Sequence, residues 1–384
     1  MLLTLFWFSI AVVVYTYVGY ALVVGIWARL VRRGKPQVTS FEPEVTVVVP
    51  AYNEGDILAE KVNNCLSLNY PVDKLRVIFI TDGSTDDSET VLATFPQVQH
   101  LHTPERGGKS MAENRAVRYV TTPYVIFTDC NTVLNSEAVR NLVRHYADPN
   151  VGAVSGEKRV LSNGSAIGAG EGMYWKYESF LKQCDSDIYS LMGAAGELVS
   201  FRTNLFYPLE ADTILDDFVQ SMRIVDAGHR VVYEPKAYAM ESPSFSLREE
   251  MKRKVRICAG GWQSMARLPS LLNPLRQPVV TFLYVSHRVL RWSLTPLLMA
   301  ILLPLNVVLA MAYEGIYSIL LCLHAGFYGA ALVGWWRAAR GKATGPLLVP
   351  LYFTMMNVAV FQGFWRFVNK TQPAAWDKAQ RVIT

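Results

Sequence analysis

The stretch YVIFTDCN, residues 124–131, begins with apolar residues and ends in an acid and an amide that stand one residue apart. A continuous apolar run that stops at polar residues is typical of a strand buried on both faces of a parallel sheet. Because side chains alternate along a strand, Asp129 and Asn131 lie on one side and Cys130 lies on the other. The stretch therefore predicts a buried strand with two polar side chains at its carboxyl end.

Two further runs have the same character, VTVVVP at 45–50 and LRVIFI at 75–80. Segments with a helical pattern lie between the runs, at 56–68 and 109–120. Strands that alternate with helices indicate βα units and a parallel sheet. The sequence therefore predicts an α/β fold, in which ligands bind beyond the carboxyl ends of the strands.

Polar residues follow three of the predicted strands at the ends where a ligand would bind. The first run continues into AYNE at 51–54, the second into TDGSTDD at 81–87, and the third into DCN at 129–131. TDGSTDD on its own is equally typical of a loop before a helix, since Asp and Ser side chains cap helices and stabilise turns. Acids at several neighbouring strand ends repel each other unless a cation or a donor-rich ligand lies between them. The recurrence therefore favours a ligand site.

Two common nucleotide-binding motifs are missing from the sequence. GGKS at 107–110 resembles the end of a phosphate-binding loop, but the GxxxxGK[ST] pattern requires glycine where this chain has Thr103. No GxGxxG follows any predicted strand. The sequence therefore supports neither a Walker-type NTPase nor a dinucleotide-dependent dehydrogenase.

Charge-free apolar windows lie near both ends of the chain, which has 384 residues and is 51% hydrophobic. Each window is as long as the roughly 20 residues that a helix needs to cross a bilayer. They cover residues 1–28, 292–313, 315–336 and 343–365. The first lacks the basic start of a signal peptide and precedes a basic flank, so we predict a retained anchor that leaves the next domain in the cytoplasm. The flank consists of Arg29, Arg32, Arg33 and Lys35.

These windows divide the chain into five predicted segments. They are an N-terminal anchor with its basic flank (1–35), a cytoplasmic domain (36–267), amphipathic interface helices (268–291), about three C-terminal transmembrane helices (292–366) and a tail (367–384). The segment at 268–291 is interrupted by prolines and arginines, which makes it too polar to span a membrane.

The side of the membrane on which the tail lies is ambiguous from the sequence. Counting crossings places the tail outside, like the turn at Glu314. The basic residues of the tail favour the cytoplasm instead. These residues are Arg366, Lys370, Lys378 and Arg381. We favour the outside placement.

The cysteines and the net charge exclude other classes of protein. The five cysteines are scattered without a CxxC pair, which argues against a zinc site or a disulfide framework. The net charge of +5 is modest, and basic residues cluster near the membrane segments, where contact with lipid headgroups explains them. Without a basic groove interleaved with aromatic residues, nucleic acid is not an expected partner.

Motifs along the whole chain occur in the order seen in one family of enzymes. They are VVVPAYNE, TDGSTDD, GGKSMAEN, FTDCN, YWKYE, GAAGELVSFR, LDDF and RKVRICAGGW. In this order they resemble the motif series of membrane-bound family-2 glycosyltransferases, which are related to hyaluronan, chitin-oligosaccharide and cellulose synthases. The resemblance implies a GT-A (Rossmann-like) domain in the cytoplasm, carried on interfacial helices and transmembrane α-helices.

The same resemblance implies a reaction and a location. An inverting, metal-dependent enzyme of this kind transfers a sugar from a nucleotide sugar, expected to be UDP-linked, to a growing exported glycan or exopolysaccharide. A single transfer to a membrane lipid acceptor stays open as the alternative. A scaffold that keeps the fold without activity is disfavoured, because Asp129 and Asp217 are both present. The expected location is the bacterial inner membrane.

The metal site implied by the resemblance lies at the end of the opening stretch. Asp129 and Asn131 match the outer positions of the family's DxD motif, which binds Mg²⁺ or Mn²⁺. These cations prefer oxygen ligands, and Mg²⁺ commonly takes only one or two carboxylates from the protein together with substrate phosphates. Many relatives have aspartate in place of Asn131, so direct contact and contact through water both stay open.

Donor and catalytic residues are implied in the same way. The nucleotide-sugar site consists of Ala51, Tyr52, Glu54, Asp82, Lys109 and Asp129, with Asp82 accepting a hydrogen bond from the base. Asp217, preceded by Asp216, corresponds to the catalytic base, although both acids also fit the first turn of a helix predicted over 217–227. Arg256 corresponds to an arginine that binds the diphosphate.

The acceptor site departs from the family pattern. Arg253 and Ile257 stand where the QxxRW motif has glutamine and tryptophan. Either Trp262, a nearby aromatic residue, or another aromatic residue supplies the surface on which the acceptor sugar stacks, or elongation stops early; Trp262 is our candidate.

Overall fold

The computed structural model describes residues 1–31, 41–161, 166–242, 246–313, 315–342 and 344–375, and of residues 166–171 and 173 it describes the backbone only. Several charged residues used in the topology prediction lie outside these ranges, namely Arg32, Arg33, Lys35, Glu314, Lys378 and Arg381. The chain forms two compact units, which we call the α/β unit and the membrane unit. The α/β unit comprises Val31–Leu161, Trp175–Pro243 and Pro373–Thr384, and the membrane unit comprises Met1–Leu30, Ser162–Tyr174 and Ser244–Gln372.

A mixed sheet of eight strands forms the centre of the α/β unit. The strands are β1 Val45–Ala51, β2 Leu75–Asp82, β3 Gln99–Thr103, β4 Tyr124–Thr128, β5 Val133–Leu134, β6 Val151–Val160, β7 Leu198–Arg202 and β8 Arg230–Glu241. Their spatial order is β3-β2-β1-β4-β7-β6-β8-β5. The first four in this order are parallel, β7 is antiparallel to both of its neighbours, and β8 is parallel to β6 and antiparallel to β5. The predicted α/β class is confirmed.

The three apolar runs of the sequence form β1, β2 and β4 at the centre of the sheet. Val47, Phe79 and Ile126 are fully buried and belong to one hydrophobic core. Ala51 at the end of β1 pairs with Thr81 of β2, and β4 pairs with the other side of β1 in parallel register. Because parallel strands end at the same edge of a sheet, the three polar strand ends lie together, as predicted.

Helices occur in both units of the described chain. In chain order they are α1 Leu2–Val14, α2 Tyr20–Val31, α3 Gly55–Leu66, α4 Ser88–Ala93, α5 Lys109–Val117, α6 Ala138–Val143, α7 Ala166–Ile188, α8 Asp216–Asp226, α9 Leu247–Arg267, α10 Pro278–Tyr284, α11 Leu290–Trp292, α12 Leu294–Ala312, α13 Ile316–Ala338 and α14 Leu348–Val368. The three predicted helical segments correspond to α3, α5 and α8. Since α3 and α5 follow β1 and β3, their N-terminal ends lie at the edge of the sheet where these strands end.

Four helices in the described part of the membrane unit are long and apolar enough to cross a bilayer. They are Leu2–Val31, Leu294–Ala312, Ile316–Ala338 and Gly345–Val368. They coincide with the four charge-free windows, so the predicted apolar helices are confirmed. Within the unit, Phe6 packs against Leu302 and Leu305 of α12.

The amphipathic helix α9 packs closely against α14 in the membrane unit. A methyl group on Gly363 would stand 2.6 Å from Cβ of Cys258, so glycine permits the close approach. Glu250 of α9 is fully buried there. Its Oε1 accepts a hydrogen bond of 2.7 Å from the hydroxyl of Tyr352 on α14.

The described end of the tail belongs to the α/β unit. A methyl group on Gly108 would come within 3.3 Å of Cα of Ala375, so these two residues are in contact. The side of the membrane on which the tail lies stays a prediction.

Candidate active site

Lys109 joins three of the elements that meet at the edge of the sheet. It is the first residue of α5, and its Nζ donates a hydrogen bond of 2.6 Å to Oδ1 of Asp129, directly after β4. The same Nζ lies 3.5 Å from Oδ2 of Asp216, the first residue of α8. Burial opposes the charge of Lys109, but the carboxylates around it hold its pKa well above the usual value. Lys109 therefore stays protonated at the centre of the site.

Asp217 lies beside this lysine and is the second residue of α8. A methyl group on Gly196 would stand 3.1 Å from both Oδ2 of Asp217 and Nζ of Lys109, so only glycine leaves this space open. Burial, and then the neighbouring carboxylate of Asp216, raise the pKa of Asp217 to about 7. A carboxylate with a pKa near neutrality suits proton transfer, because it is both present as a base and able to hold a proton.

Asn131, the other outer residue of the DCN stretch, is bonded to Glu241 of a second charged cluster. Nδ2 of Asn131 donates to Oε1 of Glu241 at 3.3 Å. Glu241 also pairs with Lys158, whose Nζ lies 2.6 Å from Oε1 of Glu197. Lys158 is only 1% exposed. The bond to Glu241 occupies the amide nitrogen of Asn131 and leaves its amide oxygen as the possible ligand atom.

These residues fit a divalent cation that is shared with a substrate. Among the described residues, no group of three or more His, Cys, Asp or Glu side chains is arranged to hold a metal. The carboxylate of Asp129 and the amide oxygen of Asn131 are hard oxygen donors, and Mg²⁺ commonly uses one or two protein ligands together with substrate phosphates. The pair therefore suits a cation that arrives with a diphosphate better than a permanently bound one.

The AYNE turn after β1 places a planar ring at the same edge. The guanidinium of Arg106 lies 3.7 Å from the ring centroid of Tyr52. Ala51 is buried at the end of β1, and the backbone N–H of Glu54 donates to Oγ of Ser88 at 3.2 Å. This arrangement presents a flat, cationic surface next to the polar strand ends.

Asp82 is engaged by the backbone in front of Lys109. Its Oδ2 accepts hydrogen bonds from the N–H groups of Gly107 (3.1 Å) and Gly108 (2.6 Å), and it forms an ion pair with Arg115. The φ angle of Gly108 is +86°, which favours glycine at this turn. Asp82 therefore fixes the GGK turn, a role that sequence reasoning missed; its predicted bond to a base stays a prediction.

Arg256 and Trp262 belong to the membrane unit, so the structure describes them apart from the other predicted site residues. Both lie on α9. The ring of Trp262 packs on Phe364 of α14 with a centroid separation of 4.7 Å. The indole Nε1 of Trp262 is buried and has no acceptor among the residues that the structure describes.

Several charged residues at the site were missed by sequence reasoning. They are Lys61, Arg106, Lys158, Glu197 and Glu241. Each looks like an ordinary surface residue in the sequence. The available signal was weak: Lys61 falls in the apolar stripe of α3 with Leu58, Val62 and Cys65. Lys158 is buried near the end of β6 between the half-buried Glu157 and the exposed Arg159, which no pattern in the sequence indicates.

An α/β sheet with acids, a lysine and an open glycine at its strand ends, joined to apolar helices, defines a membrane-bound GT-A glycosyltransferase. Sequence comparison agrees: residues 124–336, more than half of the chain, match the family described as "Glycosyl transferase family group 2". Residues 46–190 match "Glycosyl transferase family 2". The chain belongs to the family-2 glycosyltransferases, and the predicted family is confirmed.

The chain is similar at low identity to two staphylococcal synthases. The chain is 26% identical over 245 residues to a poly-beta-1,6-N-acetyl-D-glucosamine synthase of Staphylococcus aureus (strain MSSA476), which covers 61% of this chain and 58% of that protein. It is 24% identical over 234 residues to the synthase of the same name from Staphylococcus epidermidis, covering 58% and 56%. The chain thus spans less than two thirds of the length of these relatives.

A solved structure has the same fold over nearly the full length. It is the mannosyltransferase PcManGT from Pyrobaculum calidifontis in complex with GDP-Man and Mn²⁺, with a TM-score of 0.72 and 23% sequence identity. The match covers 95% of this chain and 99% of that chain. The predicted GT-A fold with membrane helices is confirmed.

Proposed function

We propose that the protein is an inverting, metal-dependent glycosyltransferase that moves a sugar from a nucleotide sugar to a growing exported glycan. The observation that carries the proposal is the position of Lys109, bonded to Asp129 and 3.5 Å from Asp216, with Asp217 beside it. This cluster combines a cation-binding carboxylate with a carboxylate suited to proton transfer. Both are needed when an acceptor hydroxyl displaces a nucleoside diphosphate.

The donor would bind across the strand ends. Ala51, Tyr52 and Glu54 would line the nucleoside pocket, while Asp82 fixes the turn that carries Lys109. Asp129 and Asn131 would hold Mg²⁺ or Mn²⁺, which would supply positive charge beside the departing diphosphate. Lys109 would bind the phosphate oxygens through charge-assisted hydrogen bonds. For Arg256, diphosphate binding stays a prediction from the motif resemblance. A UDP-sugar is the donor that we propose.

Asp217 would act as the base. Its carboxylate accepts the proton of the acceptor hydroxyl as that hydroxyl attacks the anomeric carbon from the side opposite the diphosphate. A single displacement of this kind inverts the configuration of the sugar. Asp216 keeps the pKa of Asp217 raised and stays paired with Lys109.

The acceptor is proposed to be a glycan that stacks on Trp262. An indole face suits a sugar ring, and the buried Nε1–H could donate to a sugar hydroxyl. The two relatives are named poly-beta-1,6-N-acetyl-D-glucosamine synthases, which supports polymer synthesis over a single transfer. The alternative, one transfer to a membrane lipid, would give a single sugar on an extractable lipid.

The location follows from the same proposal. Apolar helices indicate a membrane protein. We propose the bacterial inner membrane with residues 36–267 in the cytoplasm, where nucleotide sugars are made, and with lipid headgroups around the segment at 268–291.

The proposal is tested by incubating the purified chain in detergent with a panel of nucleotide sugars and Mn²⁺, and by measuring released nucleotide and labelled product. One nucleotide sugar of the panel should release its nucleotide, and this release should require both an acceptor and a divalent metal. Sizing the product on a gel separates polymer from a single addition. Absence of release from every nucleotide sugar would contradict the proposed activity.

A further inference from the structure

A buried lysine behind the DCN stretch has no part in the roles described above. Lys61 of α3 is 2% exposed. Its Nζ donates to the backbone oxygen of Thr132 (2.7 Å), to Oγ1 of Thr132 (3.1 Å) and to Oγ1 of Thr128 (3.1 Å). An ammonium group has three N–H donors, and all three partners here are neutral oxygens.

Such a lysine is costly to bury. Fully buried lysines are rare without an ion-pair partner, because the ammonium loses its hydration. Burial lowers the pKa of Lys61. An apolar side chain of similar length would suit the stripe of α3 that Lys61 shares with Leu58 and Val62. The three hydrogen bonds fix the positions of Thr128 and Thr132, which an apolar side chain at position 61 would not do.

The bonds of Lys61 all end on the two residues that bracket the turn after β4, which we call the metal turn, residues 128–132. Oγ1 of Thr132 also donates to the backbone oxygen of Asp129 at 2.8 Å, and it lies 3.1 Å from Oγ1 of Thr128. Thr128 in turn donates to the backbone oxygen of Glu197 at 2.9 Å. Lys61 thus closes a network around the backbone that carries Asp129 and Asn131.

We propose that Lys61 is a positioning residue for the metal turn, which holds the carboxylate of Asp129 and the amide of Asn131 at the spacing that a divalent cation requires. The inference rests on the proposed metal-dependent function. Removal of a group that orients metal ligands typically weakens metal binding, even though the group does not contact the metal.

The helix α3 offers a matched control one turn further along. Asn64 bonds the backbone of Leu134 twice, through Nδ2 to the oxygen (2.9 Å) and through Oδ1 to the N–H (2.8 Å). This second clamp acts on the same chain segment beyond the metal turn. A purely structural role for Lys61 would make Lys61→Met and Asn64→Ala behave alike.

The experiment measures Mn²⁺ binding to the full chain in detergent, by the electron paramagnetic resonance of free Mn²⁺, with and without UDP. The apparent melting temperature is recorded for each variant. Lys61→Met should weaken Mn²⁺ binding about 10- to 100-fold, the range typical of lost outer partners. Asn64→Ala should lower the melting temperature but leave Mn²⁺ binding near wild type. Unchanged binding in Lys61→Met, or equal losses of affinity in both variants, would overturn the inference.

Substitutions of Thr132 test the same network without removing a charge. Thr132→Val deletes the hydroxyl that accepts from Lys61 and donates to Asp129, whereas Thr132→Ser retains it. The valine variant should bind Mn²⁺ more weakly than the serine variant, and equal binding would overturn the inference even if Lys61→Met fails to fold. A wild-type chain that binds no Mn²⁺ with or without UDP would contradict the proposed function itself, and this inference with it.

Discussion

Two buried charge clusters, one in each unit, differ in their balance. In the membrane unit, the carboxylate of Glu250 lies 2.9 Å from Nη2 of Arg253 and 3.4 Å from Nζ of Lys254, and it accepts from the hydroxyl of Tyr352. Burial alone would raise the pKa of Glu250, but the two cations hold it well below the usual value. In this cluster two cations stand beside one carboxylate, and they stabilise its buried charge.

The cluster of the α/β unit is short of positive charge. The carboxyl groups of Asp129, Asp216, Asp217 and Glu113 all act on the single ammonium of Lys109. Burial and the neighbouring acids raise the pKa of Glu113 well above its usual value, so this carboxyl sheds its charge. The comparison teaches that a buried carboxylate with cationic partners of its own is typical of a contact that stabilises the fold. Carboxylates that outnumber the single ammonium beside them fit the cation and the reaction that we propose.

Removal of Asp129 should have the largest effect, because it deletes the one carboxylate among the two proposed metal ligands. Asp129→Ala should reduce transfer below detection, and a chelator should do the same to the wild type until Mn²⁺ or Mg²⁺ is added back. Asp73→Ala, at an exposed acid of the same unit, is the control and should stay active. The activity is measured as nucleotide released per minute. Full activity of the wild type in chelator would contradict the proposal that the carboxylates around Lys109 serve a metal-dependent reaction.

Asp217→Asn should lose transfer while keeping donor binding, since an amide keeps the shape of the carboxylate but accepts no proton. The expected loss of kcat is about 10² to 10⁴. Asp226→Asn, at the other end of α8, provides the same change away from the cluster. Near-normal transfer in Asp217→Asn together with an inactive Asp216→Asn would show that Asp216, and not Asp217, is the base.

The pH profile should follow the raised pKa of Asp217. Only the ionised form is a base, so kcat/KM should rise with pH and level off above the pKa of about 7. Between pH 6 and pH 8 the rise should be about tenfold for one group with this pKa. If kcat/KM is constant or falls over this interval, Asp217 is not the catalytic base.

Trp262→Ala should have the smallest effect of these changes, because it removes a stacking surface and no charge. Product length or acceptor use should fall several-fold, while hydrolysis of the donor should change little, because the indole face would contact only the acceptor sugar. Trp365→Ala, at a tryptophan of α14 that is 70% exposed, is the control. Product length is measured by sizing the labelled product on a gel. Identical lengths in the two variants would show that Trp262 does not bind the acceptor.

The sequence predicted the strands well because a parallel sheet covered on both faces requires continuous apolar runs. The polar ends of β1, β2 and β4 followed from the same rule, and the roles that we propose for them rest on the motif series. The contacts of Lys61 could not be predicted in this way, since its partners lie 67 and 71 residues away and its place in the apolar stripe of α3 is only a weak sign of burial. Nor could the bond from Asn131 to Glu241 be predicted, because 110 residues separate them.

The tail shows a different limit of sequence reasoning. Hydropathy detects helices that are apolar enough to cross a bilayer, but it does not detect where they pack. The contact of Ala375 with Gly108, for example, leaves no trace in the hydropathy of the sequence. Packing of α14 on the polar helix α9 is the kind of feature that a hydropathy window omits.

The most direct test of the account compares the stability of Asp217→Asn with that of Glu250→Gln at pH 8 in the presence of chelator. The folded-state pKa of Asp217 is raised, so its ionised form costs stability above that pKa, and the neutral amide should stabilise the chain by up to about 4 kcal/mol. Glu250→Gln removes the carboxylate beside the half-buried Arg253 and the buried Lys254 and should destabilise the chain by about 3 to 5 kcal/mol. The apparent melting temperature should therefore rise in the first variant and fall in the second. A fall of similar size in both would contradict the claim that the strand-end cluster carries surplus charge for function.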